Sequence, residues 1–165
     1  MSVGPRLEPF GPVLLAGIVR RHAIGPDDEV LSSAVAKQWR DLLIDAFRFG
    51  VLLPPRGYGL GLNFAPDGDT LEFFCGFVLR NENWAPIGLE CIAIPAVTCA
   101  VFGHRGPIAR LRHTLDAIFA TALPLEGLSP LGGETPSFIL RARPSFNPLN
   151  GFGGIDVLVP VNLPA

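Results

Sequence analysis

The feature that most restricts the fold is an order of elements that occurs twice along the chain. Two segments carry a helical period. From Asp28 to Phe47, apolar residues fall at Leu31, Val35, Trp39, Leu42 and Ala46, spaced to form one stripe. Pro26-Asp27-Asp28-Glu29 supplies a proline and acids where a helix N-terminus favours them, and Gly50 can end the helix. The second segment runs from Pro107 to Ala122, with Ile108, Leu111, Leu115, Ile118 and Ala122 as its stripe and Leu123-Pro124 as its stop.

The rest reads as strands near Arg6–Phe10, Val13–Val19, Tyr58–Asn63, Leu71–Leu79, Leu89–Ile94, Val97–His104, Ser137–Arg143 and Gly154–Val161. The order is strand, strand, helix, strand, strand, and the same again. Pro12–Ile18 can be laid on Pro95–Val101, a period of about 83 residues. The expected class is therefore α+β: a duplicated strand-strand-helix-strand-strand unit, with two main helices packed on antiparallel sheet and a central ligand cleft between the halves.

Composition narrows the function. At 165 residues, 48% hydrophobic and 17% charged, the chain suits one domain, 1–165, with a sizeable core. A net charge of -2 argues against direct nucleic-acid binding. Arg105, Arg110, Arg112 and His113 read as the solvated face of a helix. There is no signal-like start, and Val13–Val19 is too short to span a bilayer, so a cytoplasmic location with no membrane partner is expected. Cys75, Cys91 and Cys99 lie in apolar runs without metal-ligand spacing and read as buried, reduced thiols; neither a metal nor a cofactor is expected. Ser32, Ser33 and Ser129 lack a nucleophile-elbow context, and His22, His104 and His113 have no evident acid partner. His104 reads as structural. Asp67 and Asp69 around Gly68 read as turn chemistry, and Gly151–Gly154 as a lid or a hairpin turn.

Several segments together resemble a known family. Ala100-Val101-Phe102-Gly103-His104-Arg105-Gly106-Pro107, followed by Leu111, Thr114, Ile118 and Leu123-Pro124, is similar to the signature of GyrI-like effector-binding domains of bacterial transcription regulators. Thr70–Gly76, Gly88-Leu89-Glu90, Ile94-Pro95-Ala96, Ile155–Val161 and Trp39 resemble further family segments in the same order, from about Leu7 to Val161. The resemblance implies two SHS2-like units about a pseudo-twofold axis that bind hydrophobic, often cationic, compounds in a central cleft. It also implies a stand-alone module, with a sensing or sequestering role. A hydrolase of reactive hydrophobic metabolites, or a toxin antagonist that covers a protein partner, are the alternatives.

By matched position, the resemblance makes Trp39, Tyr58, Phe73, Phe102, Ile139 and Arg141 the ligand-binding candidates. Phe73 replaces the family's usual tyrosine, Leu158 its frequent tryptophan, and Trp84 can cover the mouth. The family's pocket glutamate and tyrosine on the penultimate strand are replaced by Ile139 and Arg141. That loss argues against catalysis and for a neutral or anionic apolar ligand. Arg141, as a cation in a dry cleft, requires solvent, an anionic ligand, or an acid such as Asp156 or Glu134.

Overall fold

A computed structural model describes residues 5–23, 28–48, 59–64, 68–79, 88–107, 110–143, 145 and 154–164. Its strands are β1 (Arg6–Phe10), β2 (Val13–Ala23), β3 (Gly59–Asn63), β4 (Thr70–Val78), β5 (Glu90–Ile94), β6 (Val97–His104), β7 (Ser129–Pro130), β8 (Phe138–Ala142) and β9 (Ile155–Asn162). Helix α1 spans Asp28–Arg48. Helix α2 (Leu111–Ala117) runs through a π-helical stretch, Ile118–Ala122, into α3 (Leu123–Leu125). The class is α+β, as the periodicities imply. Of the segments singled out in the sequence, Pro26, Asp27, Gly50, Tyr58, Asp67, Trp84, Ile108 and Gly151–Gly153 lie outside the described residues.

The sheet is antiparallel in the order β1-β6-β9-β8-β3-β4-β2-β5, with β7 added on β9. Exchanging β1 with β5, β2 with β6, β3 with β8 and β4 with β9 reverses this order onto itself. The duplication is therefore real, and its pseudo-twofold axis passes between β3 and β8. Each half lends its first strand to the other: β1 pairs with β6, and β5 with β2. Strands β1 and β5 match end for end, and β2 and β6 start for start, at one residue more than the proline overlay suggests, and Leu15 and Cys99 share the inner face only at that even offset, so Pro12 falls on Ala96 and not on Pro95. The matching prolines sit in the links, while side-chain parity along the strands decides the true alignment.

Connectivity forces the sheet to curl. Strands β1 and β2 stand six inter-strand spacings apart in the order, about 29 Å if the sheet were flat. Gly11 and Pro12 are the whole link between them, a reach of about 11 Å at most. The same holds for β5 and β6, joined through Pro95 and Ala96. Both edges must therefore fold round to meet at one corner, making a half-barrel. Gly17 and Gly76 face each other across β2 and β4, and a Cβ on either would fall on backbone of the opposite strand. Two glycines there let the strands approach closely.

The apolar residues divide by face. On the convex face, α1 covers Ala16, Phe73, Cys75 and Phe77, while α2 and its extension cover Ala100, Val157, Val159 and Val161. These are two separate clusters, one per half. On the inner face a single cluster unites both halves: Leu15, Leu60, Leu62, Phe74, Ile94, Cys99, Val101, Ile139 and Leu158.

Three expectations need correction. Strand β2 runs on to Ala23, because Arg20 and Arg21 reach outward to Asp41 and Glu72 while His22 stays buried. The helix does not stop at Leu123-Pro124. It continues to Leu125 and ends where Leu128 N–H donates to Leu123 O (3.0 Å) and Gly127 N–H to Pro124 O (3.1 Å), with Gly127 at φ +68°. That is a Schellman-type end, which requires a glycine and not a proline. Nor are all three thiols buried: Cys91 is exposed on the edge strand β5, while Cys75 and Cys99 are buried. Arg105, Arg110, Arg112 and His113 are all exposed, but only Arg112 and His113 lie on α2; Arg105 follows β6 in a loop and Arg110 precedes the helix.

Candidate functional site

The candidate residues divide between the two faces of the sheet. Trp39 on α1 and Phe73 on β4 pack together in the layer between α1 and the sheet, with Phe73 fully buried. Phe102 on β6 packs under α2. Ile139 and Arg141 on β8 point the other way, into the half-barrel. Strand alternation dictates this, since Ile139 lies opposite Leu62 and Leu158, and Arg141 opposite Leu60 and Asp156. The structure therefore brings Ile139 and Arg141 to one surface and assigns Trp39, Phe73 and Phe102 to helix–sheet packing behind it. Sequence motifs carry no information on which face of a sheet a strand position takes until the register is known.

Arg141 has acid partners. Its Nη1 donates to Glu8 Oε2 at 2.9 Å and its Nη2 to Asp156 Oδ2 at 3.1 Å. Asp156 was foreseen as a partner; Glu8 was not, and Glu134 is exposed instead. Arg143 fills the second oxygen of Asp156, Nε at 2.9 Å and Nη2 at 2.6 Å. Arg6 stands 3.9 Å from Glu8. Two strands, β6 and β9, separate β1 from β8 in the sheet, so the Glu8–Arg141 contact closes across the concave side. The Asp156 side chain is 10% exposed and that of Arg141 26%. Burial pushes the Asp156 carboxyl up, but hydrogen bonds from Arg143 and Arg141 outweigh it and hold it below the usual carboxylate range. Burial likewise opposes the charge on Arg141, and its hydrogen bonds to Glu8 and Asp156 more than restore it.

The pseudo-twofold makes this cluster informative. The registers carry Glu8, Arg141, Arg143 and Asp156 onto Ile92, Leu62, Phe64 and Phe74 of the other half. One end of the inner face thus carries a buried ion cluster, and its symmetry mate is apolar and aromatic at these four positions, with Glu90 in the place of Arg6 at its exposed edge. Phe64 and Ile92 are partly buried there and rest on the inner cluster.

Two histidines fasten the helices. Gln38, fully buried on α1, accepts from His22 Nε2 at 2.6 Å and donates to Ile18 O at 2.8 Å and Phe73 O at 2.9 Å. His104 donates from Nε2 to Pro107 O (3.0 Å), which leaves Nδ1 to accept the Thr114 hydroxyl (2.7 Å). Both rings are spent on tying the second strand of a half to the helix that follows it. The structural reading of His104 stands on this geometry.

No family model matches the chain. The structure is similar to SAV2435 bound to tetraphenylphosphonium, with a TM-score of 0.69 at 12% identity, covering 97% of this chain and 94% of that one. It is also similar to EcmrR in a complex with DNA, with a TM-score of 0.69 at 17% identity, covering 96% of this chain and 57% of EcmrR; the isolated EcmrR C-terminal domain matches over 99% of both chains with a TM-score of 0.62 at 16% identity. The fold is the one shared by SAV2435 and the EcmrR C-terminal domain, in keeping with the GyrI-like resemblance of the sequence. In sequence, the chain is 28% identical over 110 residues, 66% of its length, to the transcriptional regulator BrlR of Pseudomonas aeruginosa, and it spans 38% of BrlR. Among the described residues, no helix is long and apolar enough to cross a membrane, and no cluster of three or more His, Cys, Asp or Glu could hold a metal.

Proposed function

We propose that this chain is an effector-binding domain that takes an apolar small molecule on the inner face of its half-barrel, as a sensing or sequestering module in transcription regulation or drug response. The observation that carries the reading is the inner cluster itself. It spans both halves, contains no residue of a described helix, and is packed shut at its centre, with Phe74 fully buried and Phe64 partly buried beside it. Apolar surface of that kind, framed by a few placed charges, is what small-molecule sites are made of. SAV2435, of similar fold, is known with tetraphenylphosphonium bound, EcmrR is known in a complex with DNA, and BrlR is a transcriptional regulator.

Of the residues matched by motif, Ile139 and Arg141 belong to this surface, with Leu62, Phe64, Phe74 and Leu158 beside them. Hydrolysis fits less well. Glu8 and Asp156, the carboxylates beside Arg141, are both occupied by guanidinium groups, and neither is placed as a free base.

The test is a thermal-shift titration with neutral aromatic compounds. A ligand of the folded state raises the melting temperature by mass action, about 2.7 kcal/mol of stabilisation at a hundredfold excess over Kd. Val97→Trp, at a partly buried inner-face position, fills the surface from within. Stabilisation of the wild type that is lost in Val97→Trp supports the proposal. Equal stabilisation of both proteins contradicts it.

A further inference from the structure

We propose that Arg141 is a resident counter-cation: it occupies, from within the chain, the place beside Glu8 and Asp156 that a cationic ligand would otherwise take, and so turns the inner site against lipophilic cations. The inference rests on the inner face being the ligand site proposed above. It assigns the ligand's charge class, which is neutral or anionic.

Geometry and charge carry it together. Glu8 and Asp156 are the acids of this end of the inner face. They come from β1 and β9, and the guanidinium of Arg141 lies between them at 2.9 and 3.1 Å. A planar fork that meets two carboxylates at once satisfies both in a way a diffuse lipophilic cation cannot match. The five groups Arg6, Glu8, Arg141, Arg143 and Asp156 sum to one positive charge. An incoming cation therefore meets like charge, and to reach an acid it must first dislodge Arg141.

The outer two arginines do not replace it. Arg6 is 65% exposed and 3.9 Å from Glu8, and Arg143 is 52% exposed and committed to one oxygen of Asp156. Removing Arg141 alone would leave Glu8 with only the exposed Arg6 at 3.9 Å and the second Asp156 oxygen without its hydrogen bond. A half-buried carboxylate left so is an attractive site for a ligand's positive charge. At the symmetry-related end Leu62 stands in the place of Arg141, Phe74 in that of Asp156 and Ile92 in that of Glu8, while the exposed Glu90 stands in that of Arg6, so the buried ion cluster has no counterpart there among the described residues.

Two ions of the same shape and opposite charge test this: tetraphenylphosphonium and tetraphenylborate, measured by calorimetry on the wild type, Arg141→Gln, and Arg141→Gln with Glu8→Gln. The wild type is expected to bind the borate at least about tenfold more tightly than the phosphonium. Arg141→Gln should gain about tenfold or more for the phosphonium, and adding Glu8→Gln should remove that gain. Should Arg141→Gln fail to fold, Glu8→Gln alone must widen the preference for the borate, since it leaves the same arginines facing one acid fewer. A wild type that binds both ions equally, or a folded Arg141→Gln with an unchanged ratio, overturns the role of Arg141 and leaves the binding site standing. Binding of neither ion by any variant overturns the site itself.

Discussion

Replacing Gln38 by leucine should loosen α1 from the sheet by a measurable and calculable amount. Gln38 is fully buried on the sheet-facing side of α1 and makes three hydrogen bonds, to His22 Nε2, Ile18 O and Phe73 O. Leucine matches the volume and offers no polar atom. Each lost bond contributes about 1 kcal/mol net, and a ring N–H of His22 stranded at 8% exposure adds a desolvation cost of about 1–3 kcal/mol. Part of this is offset by the apolar side chain that replaces the amide, which leaves a loss of about 3 kcal/mol. For a chain of this size, 1 kcal/mol moves the melting temperature by about 2–4 °C, so the expected drop is about 6–12 °C. Circular dichroism melts of the wild type and Gln38→Leu measure it. Adding His22→Phe should cost less than the two single losses combined, with a coupling of about 1 kcal/mol. A drop below about 2 °C, or strict additivity, would refute the view that this amide staples α1 to β2 and β4.

Other consequences can be checked with equal economy. The lowered carboxyl of Asp156 contributes stability that is fully present above the ordinary aspartate value of about 3.9 and is lost as pH falls through the folded value. The gap in melting temperature between the wild type and Asp156→Asn should therefore be widest near neutrality and shrink below about pH 4. A native protein should react with a thiol reagent at Cys91 alone, because burial pushes Cys75 up to about 12 and Cys99 up to about 11; the unfolded chain should titrate all three. Gly17→Ala places a Cβ on the Cys75 carbonyl and should cost more than about 3 kcal/mol or prevent folding, seen as loss of soluble, cooperatively melting protein. Thr114→Val removes the hydroxyl held by His104 and should lower stability by about 1 kcal/mol in a urea melt.

The sequence made the elements legible where a single physical signal dominated. Strands β1 and β6 begin and end at the expected residues, since alternation and flanking Gly and Pro agree there. Helix α1 follows its stripe, and the strand–helix order already contained the duplication. What could not be read was anything set by register. The proline overlay missed the repeat by one residue, which in a strand exchanges the two faces. The motif aromatics Trp39, Phe73 and Phe102 were legible as apolar but not as belonging to the helix side. Gln38, between Val35 and Trp39 in a buried stripe, was the one polar signal on that face, and it marked a hydrogen-bonded staple. The Arg141–Glu8 pair joins residues 133 apart and needs the sheet to curl before it exists. Yet the demand that Arg141 find a partner was readable from burial alone, and Asp156 was among those expected.

The most direct test of the account is a methyl-labelled NMR titration of the protein with a neutral aromatic ligand. The account predicts shifts at the inner-face methyls of Leu62, Ile92, Val97, Val101, Ile139 and Leu158, with Val35, Leu115, Val157 and Val159 in the helix layers left nearly unmoved. Shifts confined to the helix layers would place the ligand on the other side of the sheet and contradict it.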